Sequence, residues 1–339
     1  MGWKWLVRGV LGLLAVVGVT LVYVLNSYRP VPVDPAWQVS GSATSGSGTV
    51  TVRFTGTSTL LFSDGETSWM VDGWFSRPGP LALLAGPIGP DLDAIEAGLA
   101  ANGVTELAAV IPVHSHYDHA MDAPEVARRT GALLLGSEAT ANIGRGWGLP
   151  ENQIRVLEDR ESLALGRFTL TAIASRHFQF PDPAVRERAL AEPHITEPLV
   201  PPVPVFDYRV GVPWVLHVTH PAGSWLIVGS AGFIEAGLVG YRADTVFLGV
   251  GGLGSQTDRY RRDYWRETVG TVEPRRVIPI HYDSLTGPIE GPFRGPVLAM
   301  AFLSDGTEET LAFLREQAAA NPGIEFLTLP RYEAVSLYP

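Results

Sequence analysis

Between Val110 and Asp122 the chain reads VIPVHSHYDHAMD: an apolar run, then His114, His116, Asp118 and His119 within six positions. The sequence holds eight histidines, and three of them stand in this one stretch. Imidazoles this close repel one another once protonated, and a cation that favours their neutral form relieves the conflict. If the backbone leaves a strand at Val113 and turns, positions 114 and 116 point to one place. Positions 118 and 119, at the start of the following helix, then point to a place beside it, so one short stretch can serve two adjacent cations. Asp122 with Pro124 and Glu125 reads as a helix start, Asp122 capping and Glu125 reaching back. The cluster therefore belongs on a strand-to-helix loop, and the mixed order of strands and helices along the chain predicts a layered α/β fold around it.

There is no cysteine, so thiolate metal sites, disulfides and cysteine nucleophiles are excluded and any bound ion falls to imidazole and carboxylate. Such donors suit a divalent metal, zinc or a similar ion, and open coordination positions would make the site catalytic. With 46% hydrophobic residues in 339, the chain can bury a sizeable core. Its net charge of -10, with scattered basic residues, offers no surface for a nucleic-acid backbone. Lys4 is the only lysine among the 25 basic residues, a compositional bias without functional weight.

An uncharged run from Gly9 to Leu25 follows Lys4 and Arg8. With its flanks, Trp5 to Tyr28, it predicts one transmembrane helix on the order of 35 Å long at about 1.5 Å per residue, enough to cross a hydrocarbon core of about 30 Å. The basic flank stays cytoplasmic, which sends the rest of the chain to the periplasmic or extracellular side. A cleaved signal peptide is the rival reading, opposed by Asn26, Ser27 and Tyr28, which fit a cleavage site poorly. A buried core helix is opposed by the basic residues before the run and the prolines after it. The expected organisation is a membrane anchor over 1–28, a Pro/Gly/Ser-rich linker over 29–48 and one folded domain over 49–339. Within the linker, RPVPVDPAW reads as a stiff extended spacer holding the domain off the membrane. SGSATSGSG, residues 40–48, reads as flexible linker or as the turn of a first hairpin.

From Thr49 strands dominate: TVTVRFTG, STLLFSD and TSWMVDGWF, then a helix over DLDAIEAGLAANG and a strand in TELAAVIPV. Later strands are expected in RFTLTAIASR, WVLHVTH, SWLIVGSA, DTVFLGVG and RRVIPIH. Helices are expected in TDRYRRDYWRETVGTV and TEETLAFLREQAAAN. Between Phe178 and Tyr208 lie seven prolines, a segment that reads as too irregular for regular structure.

HSHYDH resembles the H-x-H-x-D-H signature of the metallo-β-lactamase fold hydrolases, and ordered short motifs carry the resemblance from Thr49 to Pro339. It implies a four-layer αββα sandwich with metals at one edge between two sheets. SWMVDGW resembles the early strand that ends in aspartate, which implies a supporting role for Asp72 beside the metal loop. ASRHF resembles the third motif, making His177 the third ligand with His114 and His116. VIPIHYD resembles the last, so His281 would join Asp118 and His119. One position departs: where most of these hydrolases offer an aspartate bridging two metals, WLIVGSAGF has Ser230. A serine hydroxyl is a neutral, poor ligand. One metal, two metals bridged only by hydroxide, or a degenerate member that binds metal as a scaffold are the three readings, and the filled ligand positions favour an active hydrolase.

The resemblance implies metal-activated water as nucleophile, with Asp118 orienting it or accepting its proton. The sequence HSHYDHAMD also resembles the N-acyl-phosphatidylethanolamine phospholipase D branch and related phosphodiester hydrolases, and is compatible with sugar-lactone hydrolases. Two apolar loops, one after Asp72 (GWFSRPGPLALLAGPIGP) and one after His177 carrying Phe178, Phe180, Phe206 and Tyr208, could wall the metals. Together with the anchor they suggest a small-molecule or lipid-like substrate. A β-lactamase proper is not expected, because such members tend to be shorter. His217 and His220 are three apart in an alternating strand, so they face opposite sides and read as structural or surface residues. His194 reads as an exposed loop histidine.

Overall fold

The computed structural model describes residues 2–41, 49–300 and 306–338. Nine helices among these residues are labelled here: α1 (Gly2–Asn26), α2 (Pro80–Ala85), α3 (Leu92–Ala101), α4 (Tyr117–Ala120), α5 (Ala123–Thr130), α6 (Glu138–Gly146), α7 (Pro183–Leu190), α8 (Asp258–Trp265) and α9 (Thr307–Ala320). The first half supplies strands β1 (Val50–Gly56), β2 (Thr59–Ser63), β3 (Ser68–Val71), β4 (Pro87–Ile88), β5 (Ala109–Ile111), β6 (Leu133–Gly136) and β7 (Ile154–Val156). The second supplies β8 (Ser162–Leu165), β9 (Phe168–Ala174), β10 (Val203–Pro204), β11 (Trp214–His220), β12 (Gly223–Val228), β13 (Thr245–Gly249), β14 (Arg276–Ile280), β15 (Glu325–Phe326) and β16 (Val335–Tyr338).

Two seven-stranded sheets form, in the orders β16-β1-β2-β3-β5-β6-β7 and β15-β14-β13-β12-β11-β9-β8. Alternation along the strands of the first sheet explains why it has a layer on each side. Phe62, Trp69, Val71 and Ile111 point inward to the common core, while Leu61, Met70, Val110 and Leu134 point outward onto Ile95 and Leu99 of α3 and Val126 of α5. Between the sheets an aromatic slab fills the gap: Phe62 stacks on Trp69 at 4.7 Å and on Trp225 of the opposite sheet at 5.2 Å. On the far face of the second sheet, Trp265 at the end of α8 stacks on Phe326 and meets Phe313 of α9 edge-on. This is the αββα sandwich.

Strand direction positions the site. Strands β3 and β5 pair in parallel, and β12, β13 and β14 pair in parallel. Strand β9 is antiparallel to β11, which is antiparallel to β12, so β9 also runs their way. The loops that follow β3, β5, β9, β12, β13 and β14 consequently share one end of each sheet, the end at which layered α/β folds place their ligands.

Three expectations are corrected. The segment 29–41 is no free spacer but is docked on the domain. Arg29 N–H donates to Pro296 O at 2.9 Å, Val33 is buried, Trp37 packs on Phe326 at 5.0 Å and Asp34 pairs with Arg315. Its prolines stiffen it, and its Val and Trp side chains find apolar partners. The linker-or-turn reading of SGSATSGSG falls largely on 42–48, outside the described residues. Within 178–208 the seven prolines leave room for α7, started by Pro183 in its first turn with Asp182 capping the amides of Ala184 and Val185. The loop after Asp72 likewise contains α2 and β4.

Helix α1 buries none of its residues and is the one helix among the described residues long and apolar enough to cross a membrane.

Candidate metal centre

Strand β5 ends at Ile111 and the chain turns through His114 before α4 begins at Tyr117, directly after His116. Asp118 and His119 lie in that single helical turn. Donor atoms of His114, His116 and His177 converge within 4.8 Å of one another, and those of Asp118, His119 and His281 do the same. Residues 61 and more positions apart in the chain are thus brought together by the shared strand ends.

Hydrogen bonds pin three of the rings. His119 Nδ1–H donates to Asp72 Oδ2 at 2.8 Å, His177 Nδ1–H to the Phe178 carbonyl at 2.8 Å and His116 Nε2–H to the Ala189 carbonyl at 3.4 Å. Each leaves its other nitrogen as a lone pair aimed into the site. His114 Nε2 lies 3.1 Å from His116 Nδ1, and His119 Nε2 lies 3.3 Å from His281 Nε2. Each pair stands within hydrogen-bond distance, where one ring can donate to the other; with both nitrogens unprotonated their lone pairs converge on one place, so the donor set fits a metal ion.

The electrostatics point the same way. Burial first, and then the neighbouring imidazoles, lower the pKa of His114 far below its ordinary value. Burial also dominates at His116, held at about 4, and at His177, lowered far below its ordinary value. All three rings are neutral at physiological pH, the form that binds a cation. In the second group burial opposes ionisation of Asp118, but the imidazoles of His119 and His281 outweigh it and hold the carboxyl well below the usual range. Asp118 stands 3.4 Å from His119 and 3.3 Å from His281. Burial likewise opposes protonation of His119, yet Asp72 and Asp118 raise its pKa.

Asp72 is fully buried and spans two parts of the loop, accepting from Val113 N–H at 2.9 Å as well as from His119. It sits at a φ of 58°, and His281 at 59°, a left-handed conformation rare for residues with a Cβ. His281 is held there by its N–H to the Thr57 carbonyl at 2.5 Å, and its ring fits only because position 251 is glycine: a Cβ there would stand 2.5 Å from Nδ1.

Ser230 follows β12 with its hydroxyl buried and unpartnered, in a small void shared with His114 and Arg176. Asp122 does not cap α5 and Glu125 does not reach back, correcting the expected helix start. The Asp122 carboxylate instead accepts from the amides of Phe75 and Ser76 and from the Ser76 hydroxyl, fixing the chain that follows Asp72. Burial pushes the Asp122 pKa up to about 6. Glu125 pairs with Arg128 and Arg129. His217 and His220 face opposite sides of β11 and both are buried, His217 bonded to the Arg242 carbonyl and His220 to Asp64. His194 is exposed.

Sequence reasoning missed the support behind His281. Asp283 accepts from Thr57 N–H at 2.5 Å and lies 3.7 Å from Arg77, whose guanidinium covers the Trp74 ring at 4.0 Å. The only signal was an aspartate two positions after the histidine.

Above the donor atoms lies a cavity of about 290 Å³, with His116, Asp118, His177 and His281 in its wall. The rest is mostly apolar, including Leu83, Phe178, Phe180, Phe206 and Met300, so both apolar loops contribute. Arg188 also lines it, its guanidinium 4.0 Å over the Phe206 ring.

No protein-family model and no curated protein matches the sequence. Solved structures do. An isothiocyanate hydrolase from Delia radicum gut bacteria is 15% identical, with a TM-score of 0.50 over 86% of this chain and 100% of its own. The metallo hydrolase Igni18 from Ignicoccus hospitalis is also 15% identical, with a TM-score of 0.49 over 86% of this chain and 99% of its own. The metallo-beta-lactamase fold protein YhfI from Bacillus subtilis is 13% identical, with a TM-score of 0.43 over 84% of this chain and 99% of its own. At such identities the likeness is one of fold.

Proposed function

We propose that this chain, which carries the metallo-β-lactamase fold, is a membrane-anchored, metal-dependent hydrolase of an amphipathic substrate. Candidates are a phosphodiester, a lipid-like ester or amide, or a lactone. The observation that carries the reading is the convergence of two donor triads, the ligand atoms of each within 4.8 Å of one another, in the wall of an apolar cavity. His114, His116 and His177 would hold one divalent ion, zinc in the first instance, and Asp118, His119 and His281 a second. Bound there, such an ion supplies a nucleophilic water at neutral pH and polarises the oxygen of the group under attack.

The chain's own groups do the rest. The ionised Asp118 carboxylate orients the attacking water and accepts its proton. Asp72 holds His119 and the loop backbone in register, and the Phe178 and Ala189 carbonyls fix the tautomers of His177 and His116. The apolar walls exclude bulk water, and Arg188 offers a cation to an anionic part of the substrate. Lys4 and Arg8 before the apolar run support an anchor with the catalytic domain outside the cytoplasm.

The test is the full chain in detergent, assayed on a phosphodiester, a lactone and a β-lactam chromogen with added zinc or with chelator. Turnover of at least one, abolished by chelation, is the expected result. Asp118→Ala should lower kcat by about 10²–10⁴-fold, the range of a lost proton acceptor. Full activity in that variant would refute its role. Bound metal without turnover of any substrate would favour the scaffold reading, which the serine at 230 supports.

A further inference from the structure

Outside α1, the described residues leave six large apolar side chains exposed, and three of them, Leu81, Leu84 and Val200, lie in two short segments. These are PGPLALLAGPIGP, residues 78–90, and LVPPVPV, residues 199–205, neither of which contains a single charged or hydrogen-bonding side chain. The fold pairs them: β4 and β10 form a two-stranded ribbon with Val203 opposite Ile88 and Pro204 opposite Pro87. Beside the ribbon, α2 buries only Leu83 and turns Leu81 and Leu84 outward. A solvated rim built this way wastes apolar area that polar residues would cover at no cost to the core.

The rim adjoins both the cavity and the end of α1. Leu83 packs in one cluster with Leu285 and Met300, and Leu83, Leu84 and Met300 all line the cavity. The segment that carries Met300 is the one that receives the chain as it leaves α1: Leu298 N–H donates to Ser27 O at 2.9 Å, and Tyr28 pairs with Val297. Tyr28 also donates to the Thr286 carbonyl at 3.5 Å and lies beneath the Arg294 guanidinium, 5.1 Å from the ring. An aromatic residue and a cation at the end of an apolar helix mark the headgroup level of a bilayer. Trp3 and Trp5 stand at the other end, and α1 at about 1.5 Å per residue reaches from one level to the other.

We infer that the apolar rim formed by 78–90 and 199–205 lies in the leaflet at which α1 ends, so that the cavity takes its substrate from the bilayer rather than from solution. The inference rests on the membrane-anchored hydrolase reading and adds the route of entry. Without a tether of any length after α1, the domain has no freedom to stand off the surface. The mouth between α2 and the 297–300 segment is held at the interface, and an amphiphile can slide its chain between the apolar walls while its polar group reaches the donor triads.

The absence of cysteine makes every introduced thiol unique. Full-length Leu84→Cys, Val200→Cys and, as control, Arg259→Cys, whose native side chain is 91% exposed, are each labelled with an environment-sensitive fluorophore. They are then reconstituted in phosphatidylcholine vesicles. Labels at 84 and 200 should shift to the blue, be quenched by spin-labelled lipid and report a depth of about 5–10 Å below the headgroups. The label at 259 should respond only to aqueous iodide. Iodide quenching at both 84 and 200 equal to that at 259 would overturn the inference, and would instead leave the rim to a soluble partner or a second copy. A Leu81→Glu substitution in the Val200→Cys background should reduce lipid quenching at 200 while α1 keeps the protein in the vesicles, and unchanged quenching counts against the shared rim. None of these readouts needs turnover, so failure of the hydrolase reading would show in the activity assays alone.

Discussion

The two donor triads stand side by side yet are built on different principles. His114, His116 and His177 are three neutral imidazoles whose burial keeps them unprotonated, and two of them hold their tautomers through backbone carbonyls. Asp118, His119 and His281 mix charge with imidazole and depend on another carboxylate, Asp72, and on left-handed backbone at 72 and 281. The first triad is a trap made by desolvation. The second is held by charges and by backbone conformations that the fold must enforce, while each triad sends two side chains to the cavity wall, His116 and His177 from the first and Asp118 and His281 from the second. What the contrast teaches is that neighbouring clusters of similar composition can be held by different means, one by burial and the other by charge and backbone conformation.

Removing one distant ligand from each triad breaks the comparison most directly. His177→Ala should weaken the tighter metal equivalent by more than about 100-fold, beyond the losses typical of outer-sphere partners, as read by competitive chelator titration with metal counting. His281→Ala should remove the weaker equivalent and leave the tighter one. Depletion of both by His281→Ala would show that the triads form a single coupled site. A smaller effect is expected for Asp72→Asn, which keeps the shape but loses the anionic acceptor for His119. The second equivalent should weaken by about 10–100-fold with the first unchanged. The smallest change is a gain. Ser230→Asp offers a carboxylate where the buried hydroxyl now has no partner, and should tighten the second equivalent by about tenfold, or roughly 1.4 kcal/mol. Two equivalents bound equally well before and after that substitution would remove the distinction drawn here.

Much of the site was legible because its residues obey local rules. The motif at 114–119 announces itself by crowding, and Asp72, His177 and His281 each close a readable strand. The capping assigned to Asp122 and Glu125 failed because both side chains found stronger tertiary partners, the amides of 75 and 76 for one and two arginines for the other. Helix α7 was missed because prolines obscured a capped turn that begins with one of them. Arg77 carried no signal and Asp283 only its place two positions after His281, since their importance lies in a contact between residues more than 200 positions apart.

By itself the sequence determined what depends on near neighbours: where the strands alternate, where the apolar first helix runs, and which residue types could hold an ion. Only the tertiary structure decided which nitrogen of His116, His119 and His177 is free, that the segment after α1 is docked on the domain, and that the apolar rim meets the cavity. Those depend on which carbonyls, carboxylates and side chains arrive from other strands, and pairing across two sheets is a property of the whole packed chain rather than of any stretch within it.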